Sequence, residues 1–331
     1  MHNMKEIYTT LFDSHYLAKG VALCRSLEKV CTDYIIYIFA FDTTSEAILR
    51  ALKMPNTTII SLQELENYFP LLRRVKPNRN AGEYCWTCKG PSIQYIFDKY
   101  NADNCAYLDA DLYFYHSPKC ILNGCKDADV VLTPHNFEEK YDLSDTNGYF
   151  CAQYLWFRNN KNGRMILNWW TDLCIDWCYG KHEPGKFGDQ KYLERFSQEW
   201  SNVMSAKING CCAPWNIGKF DVCSIENNNL SIVDNTTQYS EYIVCYHFHF
   251  LRNTKFDLFN EFTFGPYVLD KRTINSIYIP YIRALINISK EILDIVPTID
   301  ALGSSRVKEN LVIQVLHYIK NQCKINKYIW R

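Results

Sequence analysis

The sequence has no long apolar run, no excess of either charge and no low-complexity tract. Its longest apolar run, Tyr34 to Phe41, is far shorter than the ~20 residues that a transmembrane helix needs. Lys and Arg total 36, and so do Asp and Glu, so no positive field is available to hold nucleic acid. The start of the chain lacks the apolar region of a signal peptide, because Glu6 and strand-like residues stand there. These absences predict a cytoplasmic protein with no transmembrane segment and no nucleic-acid partner.

Cysteine, in contrast, is abundant, with 15 in 331 residues. An odd number without a signal peptide does not fit a secreted disulfide framework. Most cysteines lie inside apolar segments, where we expect small buried side chains in a reducing compartment. Cys85-Trp86-Thr87-Cys88 has the spacing of redox and zinc motifs. Because no second Cys pair and no matching His pair accompanies it, we expect neither chemistry there.

The first half of the sequence alternates strand and helix patterns. β-Branched and aromatic residues fill the predicted strands, and apolar residues at helical spacing fill the predicted helices. Such alternation is typical of an α/β fold with a mostly parallel sheet flanked by helices. The predicted strands include 5–12, 34–40 and 57–60, and the predicted helices include 16–29 and 86–99.

The character of the chain changes after about residue 252. Two helical stripes follow, one of Tyr281, Leu285, Ile288 and Ile292, the other of Val312, Val315, Leu316 and Ile319. We therefore predict a main domain over 1–252 and a helical C-terminal extension over 253–331. The last residues combine aromatic side chains with cations in Tyr328-Ile329-Trp330-Arg331, as interfacial anchors do. This pattern suggests peripheral contact of the tail with the inner face of the membrane, with a solvated helix surface as the alternative.

One predicted strand, starting at Cys105, runs directly into two acids. Asp109 and Asp111 are two residues apart, so on extended chain both side chains point the same way. Carboxylates beside an apolar core need a cationic partner, and a divalent metal with a diphosphate behind it would satisfy both. Ligands of open α/β sheets bind at the carboxyl ends of strands, where this D-x-D lies. The second D-x-D, Asp127-Ala128-Asp129, precedes an apolar run and is therefore predicted to be a turn.

Three further segments contribute candidate site residues. Asp13 and Tyr16 follow the first predicted strand. Tyr16 is suited to stack on a nucleotide base. Asp13 either accepts a hydrogen bond from the imide of that base or serves as a helix-capping acid. Asp189-Gln190 follows a glycine-rich loop and is suited to hold sugar hydroxyls, or to favour the N-terminus of a helix. His247 and His249 end a predicted strand over 241–249, and the sequence leaves open which of them is a metal ligand.

Taken together, these segments resemble a known family. The chain is similar over roughly 5–252 to GT-A-fold glycosyltransferases, in motif order to glycosyltransferase family 8, and to sugar transferases of bacterial polysaccharide assembly. The motifs, in order, are Phe12-Asp13-Ser14-His15-Tyr16 with Arg25-Ser26-Leu27, Tyr107-Leu108-Asp109-Ala110-Asp111, Gly148-Tyr149-Phe150-Cys151-Ala152-Gln153, Phe187-Gly188-Asp189-Gln190-Lys191-Tyr192-Leu193, Ala213-Pro214-Trp215-Asn216 and Tyr246-His247-Phe248-His249.

The resemblance implies a role for each matching residue. It implies Mn²⁺ or Mg²⁺ bound by Asp109, Asp111 and His247, and catalysis that involves these acids with Asp189 and Gln190. It also implies a nucleotide-sugar donor, with uridine as the expected base. The donor-binding residues on this basis are Phe12, Asp13, Tyr16, Lys89, Asp109, Ala110, Asp111 and Arg252.

The chain also departs from the family pattern. Cys151 and Gln153 stand where the family's Y-F-N-A-G has Asn and Gly. Phe250 replaces the glycine of H-F-x-G, and the Lys-Pro-Trp that usually follows is absent. Arg252 or Lys255 is therefore the candidate for the missing lysine at the diphosphate.

The function expected from the resemblance is metal-dependent glycosyl transfer to a glycan or lipid-linked acceptor, with retention at the anomeric carbon. Asp142 or Asp145 is an alternative base that would make the enzyme inverting. A sugar-nucleotide nucleotidyltransferase is a rival, but it would need a glycine-rich loop after the first strand, and Phe12–Tyr16 contains no glycine. A catalytically inactive nucleotide-sugar-binding protein is the second rival.

Overall fold

The computed structural model describes residues 5–224, 230–308, 310–321 and 327–330. Its strands are β1 (Glu6–Phe12), β2 (Tyr34–Ala40), β3 (Thr57–Ser61), β4 (Asn104–Leu108), β5 (Leu112–Phe114), β6 (Val130–Pro134), β7 (Phe150–Arg158), β8 (Val203–Ser205), β9 (Cys211–Cys212), β10 (Phe220–Ser224), β11 (Leu230–Asp234), β12 (Ser240–Tyr242), β13 (Cys245–His247), β14 (Arg252–Lys255), β15 (Asn260–Thr263), β16 (Ser305–Arg306) and β17 (Lys327–Trp330). Its α-helices are α1 (Leu17–Val30), α2 (Thr43–Leu52), α3 (Leu62–Tyr68), α4 (Leu71–Val75), α5 (Ala81–Tyr100), α6 (Ser144–Asn147), α7 (Lys161–Asp176), α8 (Phe196–Glu199), α9 (Lys271–Thr273), α10 (Ile279–Ile295) and α11 (Leu311–Asn321).

A seven-stranded sheet forms the centre of the molecule, in the order β3-β2-β1-β4-β7-β6-β8. Strands β3, β2, β1 and β4 run parallel, and β7 is antiparallel to both of its neighbours. Every residue of β1 and β4 is buried, as expected for strands with both faces covered. The predicted α/β class with a mostly parallel sheet and flanking helices is therefore confirmed.

Two apolar layers cover the sheet. Helices α1 and α10 pack on one face, and α5 and α7 pack on the other. The approach of α5 to α7 depends on Gly90, since a Cβ there would lie 2.2 Å from the Thr171 hydroxyl. The 14 cysteines that the structure describes are all free, and 11 of them are buried, which agrees with their reading as small core side chains.

A second, three-stranded sheet lies against the carboxyl end of the central sheet. It has the order β5-β13-β9, and β5 begins directly after the first D-x-D. Its register pairs Leu112 of β5 with His247 of β13. The strand predicted over 241–249 is in fact split into β12 and β13, which belong to different sheets. Because β13 pairs with β5, His247 lies close to the D-x-D.

The C-terminal extension contains the predicted helices α10 and α11, but it is not purely helical. Strands β16, β14, β15 and β17 form a four-stranded sheet in it, and β14 begins at Arg252. The sequence does not reveal these strands because all four are short, three of them are mostly polar, and β15 pairs with the distant β17. Among the described residues, no helix is long and apolar enough to cross a membrane.

The extension also packs against the main domain. Helix α10 shares the apolar layer of α1, and the backbone N–H of Ala18 donates to the carbonyl of Ala301. Gly303, at φ +60°, approaches the backbone of His15 so closely that a Cβ would lie 2.2 Å from its oxygen. The turn after β1 is therefore supported by the C-terminal part of the chain.

Candidate active site

The first D-x-D lies where β4 ends. The N–H of Asp109 donates to the carbonyl of Gln153 at 2.9 Å, and the carbonyl of Asp111 accepts from the N–H of Phe248 at 3.0 Å. These backbone bonds attach the motif to β7 on one side and to the end of β13 on the other. Both carboxylates are thereby fixed at the carboxyl end of the sheet, as predicted.

His247 and the two acids of the motif converge. Its Nε2 lies 3.0 Å from Oδ1 of Asp111 and 4.0 Å from Oδ2 of Asp109. Burial would lower the pKa of His247, but the carboxylate of Asp111 outweighs it and raises that pKa to about 10. Burial would likewise raise the pKa of Asp111, and His247 instead holds it well below its usual range. The pair is therefore an imidazolium–carboxylate ion pair in this state.

Lys89 links the D-x-D to Asp189. Its Nζ, on α5, lies 3.0 Å from Oδ1 of Asp109, 3.0 Å from Oδ2 of Asp189 and 3.2 Å from the carbonyl of Ala152. The side chain is 3% exposed. Burial would lower the pKa of Lys89, but the two carboxylates raise it, so the ammonium stays charged. Tyr107 supports the same group, since its hydroxyl donates to Oδ1 of Asp109.

Asp189 is held in place by its backbone. Trp170, a buried residue of α7, donates its indole N–H to the Asp189 carbonyl at 2.8 Å. Burial raises the pKa of the Asp189 carboxyl, and Lys89 opposes that shift. Gln190 follows and precedes a short 3-10 helix over Lys191–Arg195, with its own side chain half-buried.

The turn after β1 contains the predicted base-binding residues. Phe12 is buried against Gly20 of α1, and its carbonyl accepts from the N–H of Phe41, so its side chain is part of the core. Asp13 caps the 3-10 turn by accepting from the N–H of His15 at 3.0 Å. Tyr16 is 43% exposed, so a large part of its ring is open to solvent.

His249 and Arg252 lie beside the cluster in different ways. His249 Nδ1 is 3.0 Å from the Tyr267 hydroxyl. Burial, together with the charge of His247, lowers the pKa of His249 to about 3, so this ring is neutral. Arg252 is exposed, with its guanidinium over the Phe250 ring. Of the two histidines, the structure brings His247 into contact with the acids.

The resemblance implies a divalent metal at Asp109, Asp111 and His247. Carboxylate oxygens are ligands that Mn²⁺ and Mg²⁺ prefer in proteins, and Nε2 of His247 lies within 4.0 Å of an oxygen of each carboxylate. Within the described ranges, no group of three or more His, Cys, Asp or Glu side chains is arranged to hold an ion as it stands. The donor set therefore fits a divalent ion in chemistry, while His247 and Asp111 pair with each other.

The second D-x-D has a different environment. Asp127 is exposed, whereas Asp129 is buried and accepts side-chain amide hydrogens from Asn160, Asn162 and Asn202 at 2.6–3.0 Å. It precedes β6 at the amino end of that strand. Its carboxylate organises loops on the rim opposite to the candidate site, which agrees with the prediction that this copy is a turn.

Two residues near the cluster did not emerge as candidates from the sequence. Lys19, one turn after Tyr16 on α1, places its Nζ 3.7 Å from Oδ2 of Asp111. Cys151 lies near His135 and His247; although burial opposes it, the two imidazoles lower the pKa of the Cys151 thiol to about 6. The three-residue spacing of Tyr16 and Lys19 on a helix was the available signal for Lys19.

The chain is similar in sequence to proteins of Bacillus subtilis. It is 32% identical over 225 residues to the uncharacterized protein YfnF of Bacillus subtilis (strain 168), covering 65% of this chain and 74% of YfnF. It is 27% identical over 287 residues to the uncharacterized protein YfnD of the same organism, covering 84% and 88%. No protein-family model matches the chain. Among solved structures, galactosyltransferase LgtC in complex with donor and acceptor sugar analogues superimposes with a TM-score of 0.50 and 16% identity, covering 85% of this chain and 95% of LgtC.

Proposed function

The chain belongs to the same protein family as YfnF of Bacillus subtilis and has the GT-A glycosyltransferase fold, and from these two facts we propose a function. It is a metal-dependent glycosyltransferase that moves a sugar from a nucleotide diphosphate donor, with UDP as the nucleotide, to a glycan or lipid-linked acceptor.

The observation that carries the proposal is the cluster at the carboxyl end of the sheet. Asp109, Asp111 and His247 meet there, and Lys89 joins Asp109 to Asp189 within one buried network. The carboxyl end of a parallel sheet is where α/β folds bind nucleotides. A structural role alone does not account for three carboxylates and two cations packed together there, because buried charges are costly to maintain.

Each part of the cluster has a defined role in glycosyl transfer. Mn²⁺ or Mg²⁺ held by Asp109, Asp111 and His247 would act as a Lewis acid toward the leaving diphosphate. Lys89 and Arg252 place fixed positive charge where negative charge develops as the C1–O bond breaks. Asp189 holds donor hydroxyls, and Gln190 lies near the anomeric carbon.

The nucleotide is held by the turn after β1. Tyr16 has a large exposed ring for stacking on uracil, and Asp13 is placed to accept from the imide. Asp13 acts as a capping acid in this structure, because one of its carboxylate oxygens accepts a hydrogen bond from the N–H of His15. A carboxylate has several lone pairs, so capping leaves acceptor capacity for a base.

Retention at the anomeric carbon is proposed from the family resemblance. Asp142 and Asp145 are both exposed, and Asp142 already accepts from the N–H of Ser144. Neither contacts the cluster of Asp109, Asp111 and Asp189 in the described part of the chain. Their position therefore favours retention over a mechanism with either acid as base; NMR of the anomeric proton of the first-formed product distinguishes the two outcomes.

The rival nucleotidyltransferase function is disfavoured by the turn after β1. That turn is closed by the Asp13 side chain and a 3-10 helix over Ser14–Tyr16. A glycine-rich loop that wraps a triphosphate with backbone N–H groups is absent from this stretch of the described chain.

A nucleotide panel tests the proposed function. Thermal unfolding is followed with UDP, GDP, CDP, ADP and dTDP, each with Mn²⁺ or with EDTA. We expect a rise in Tm with UDP that requires Mn²⁺, because a ligand that binds only the native state stabilises it by mass action. A larger, metal-independent shift with a nucleoside triphosphate would favour the nucleotidyltransferase, and no shift with any nucleotide would contradict both.

For a lipid-linked acceptor we propose contact of the C-terminal tail with an anionic membrane, through the exposed face of α11. Strand β17 pairs with β15, and its Tyr328, Ile329 and Trp330 are half-buried; Lys324 and Arg331 lie outside the described residues. Helix α11 buries Gln314, which accepts from the backbone N–H groups of Asp257 and Leu258. Its exposed face is apolar, with Leu311, Ile313, Val315, Leu316 and Ile319 each 45–62% exposed.

The charges near α11 favour an anionic bilayer as the occupant of this face. Arg306 and Lys308 precede the helix, Lys320 lies in its last turn, and all three are exposed. An apolar helix face with cations at its ends is typical of helices that lie in the membrane interface. The polar contacts of Gln314 hold the helix with this face outward.

Vesicle co-sedimentation tests the membrane contact. We expect wild type to bind vesicles with phosphatidylglycerol, to release them at high salt, and to lose binding in Leu316→Glu/Ile319→Glu. The control is Met165→Glu, which places the same charge at an exposed apolar position on α7. Equal vesicle binding by wild type and the α11 variant would overturn this part of the proposal. If wild type instead formed a dimer that the α11 substitutions abolished, the exposed face of α11 would be assigned to a second copy of the chain.

A further inference from the structure

Lys19 is a cation that the proposed chemistry does not yet use. It projects from the first turn of α1, and its side chain is only 14% exposed. Burying an ammonium is costly, so an internal lysine with few partners calls for an explanation. Lys89 has such partners, two carboxylates and a carbonyl within 3.2 Å. Lys19 has fewer partners, and they are more distant.

The ammonium of Lys19 has few contacts with acceptor groups of the protein. Within the described ranges, the one ionic partner of Lys19 is Asp111. The distance from Nζ of Lys19 to Oδ2 of Asp111 is 3.7 Å, which is too long for a hydrogen bond. Asp111 has a closer partner in His247, at 3.0 Å. An ammonium has three N–H donors, so most of the donor capacity of Lys19 is available to a ligand.

The surroundings of Lys19 indicate what that ligand is. Its Nζ lies 4.5 Å from the centroid of the Tyr16 ring, the proposed base-stacking surface. A cation that lies beside an aromatic ring and the first D-x-D forms a place for an anion attached to a base. A nucleoside diphosphate has this chemistry.

We propose that Lys19 is a diphosphate-binding residue of the donor site. The inference rests on the proposed function. Helix α1 supplies this cation between the first D-x-D and the Tyr16 ring. In the free protein Lys19 is held by Asp111. The same ammonium therefore competes with a divalent ion for Asp111 until a diphosphate offers it oxygen acceptors.

Two binding measurements on Lys19→Met test this inference, because methionine keeps the length and apolar body of lysine but has no charge. By calorimetry with Mn²⁺ present, we expect UDP to bind the variant roughly 10- to 100-fold more weakly, the range of a lost charge-assisted hydrogen bond. Uridine, which has no diphosphate, is expected to bind both proteins equally. By Mn²⁺ electron paramagnetic resonance without nucleotide, we expect the variant to bind Mn²⁺ severalfold more tightly.

The matched control is Lys29→Met, which removes a lysine near the other end of α1, where its Nζ contacts the hydroxyl of Tyr113. It is expected to bind UDP, uridine and Mn²⁺ like wild type. UDP affinity of Lys19→Met within twofold of wild type would overturn the role of Lys19. Equal weakening of UDP and uridine would also overturn it, because the defect would then lie in the Tyr16 turn. Failure of wild type itself to bind UDP would instead contradict the proposed function.

Discussion

Each acid of the first D-x-D has its own cation in this structure. Asp109 pairs with Lys89, and Asp111 pairs with His247 and more distantly with Lys19. The carboxylate of Asp111 therefore stays ionised, because burial, which favours the protonated form, is outweighed by the nearby positive charge of His247 and Lys19. Each acid thus has two possible roles, ligand of an ion and partner of a protein cation.

Removal of either acid is expected to abolish transfer. In Asp109→Ala or Asp111→Ala the loss of electrostatic stabilisation is expected to reduce kcat by at least about 100-fold. The control is Asp127→Ala, in the second D-x-D, where the side chain is exposed. Sugar transfer is measured by product formation and folding by circular dichroism. If Asp127→Ala were inactive and Asp109→Ala active, the assignment of the site to the first D-x-D would be wrong.

Tyr16 supplies the second residue-scale prediction. Stacking of a base on an aromatic ring contributes about 1–3 kcal/mol, so Tyr16→Ala is expected to weaken UDP by one to two orders of magnitude. Tyr239→Ala is the control, since Tyr239 is also an exposed tyrosine, on the loop after β11. Calorimetry that gives the same UDP affinity for Tyr16→Ala and wild type would remove Tyr16 from the site.

At the scale of elements, the sequence predicted the regular part of the fold. Strands β1, β2 and β4 and helix α1 were expected close to their observed bounds, whereas α5 begins at Ala81, earlier than the predicted start at residue 86. The pairing of β5 with β13, which brings His247 to Asp111, was not predictable, because the two strands have three residues each and lie more than 130 residues apart. Lys19 was missed for a related reason: only the folded sheet places the start of α1 beside Asp111.

The amino end of β6 provides a prediction about stability. Asp129→Ala is expected to destabilise the protein by roughly 2–3 kcal/mol, because three asparagine amides lose a charged acceptor. Asp127→Ala is expected to change stability by less than about 0.5 kcal/mol. Urea unfolding followed by tryptophan fluorescence measures both.

The effect of Asp129 should also depend on pH. Burial opposes the shift, but the amides of Asn160, Asn162 and Asn202 lower the pKa of Asp129 in the folded protein. A carboxyl whose folded pKa is depressed contributes stability above its unfolded pKa of about 3.9 and loses that contribution as the pH falls through the folded value. The stability difference between wild type and Asp129→Ala is therefore expected to be full at pH 7 and to shrink below about pH 4. A difference that grows with acid would contradict this account.

At the scale of the whole molecule, the C-terminal extension and the donor site form one structure. Gly303 packs against the backbone of His15 in the turn that holds Tyr16, and Ala301 accepts from the N–H of Ala18. The division at residue 252 thus separates sequence patterns, while the apolar layer of α1 and α10 continues across it. We therefore expect substitutions in the C-terminal extension to alter the affinity for the nucleotide.

Gly303→Ala tests this connection. A Cβ there meets the His15 backbone, and the positive φ adds a cost of about 1–2 kcal/mol. We expect a lower Tm and weaker binding of UDP. Gly124→Ala is the control, because Gly124 also has positive φ but no atom lies within 4 Å of its added Cβ. Its Tm is expected to fall slightly with UDP affinity unchanged. Equal UDP affinity for both variants would mean that the extension does not support the donor turn.

The central claim is that this chain cleaves a nucleotide diphosphate sugar at the Asp109–Asp111–His247 cluster. Release of UDP from a panel of UDP-sugars tests it most directly, measured for wild type with Mn²⁺, for wild type with EDTA, and for Asp109→Ala with Mn²⁺. The account predicts release from at least one UDP-sugar by wild type with Mn²⁺, and none in the other two conditions. UDP release that persists in EDTA or in Asp109→Ala, or no release from any UDP-sugar under any condition, would contradict it.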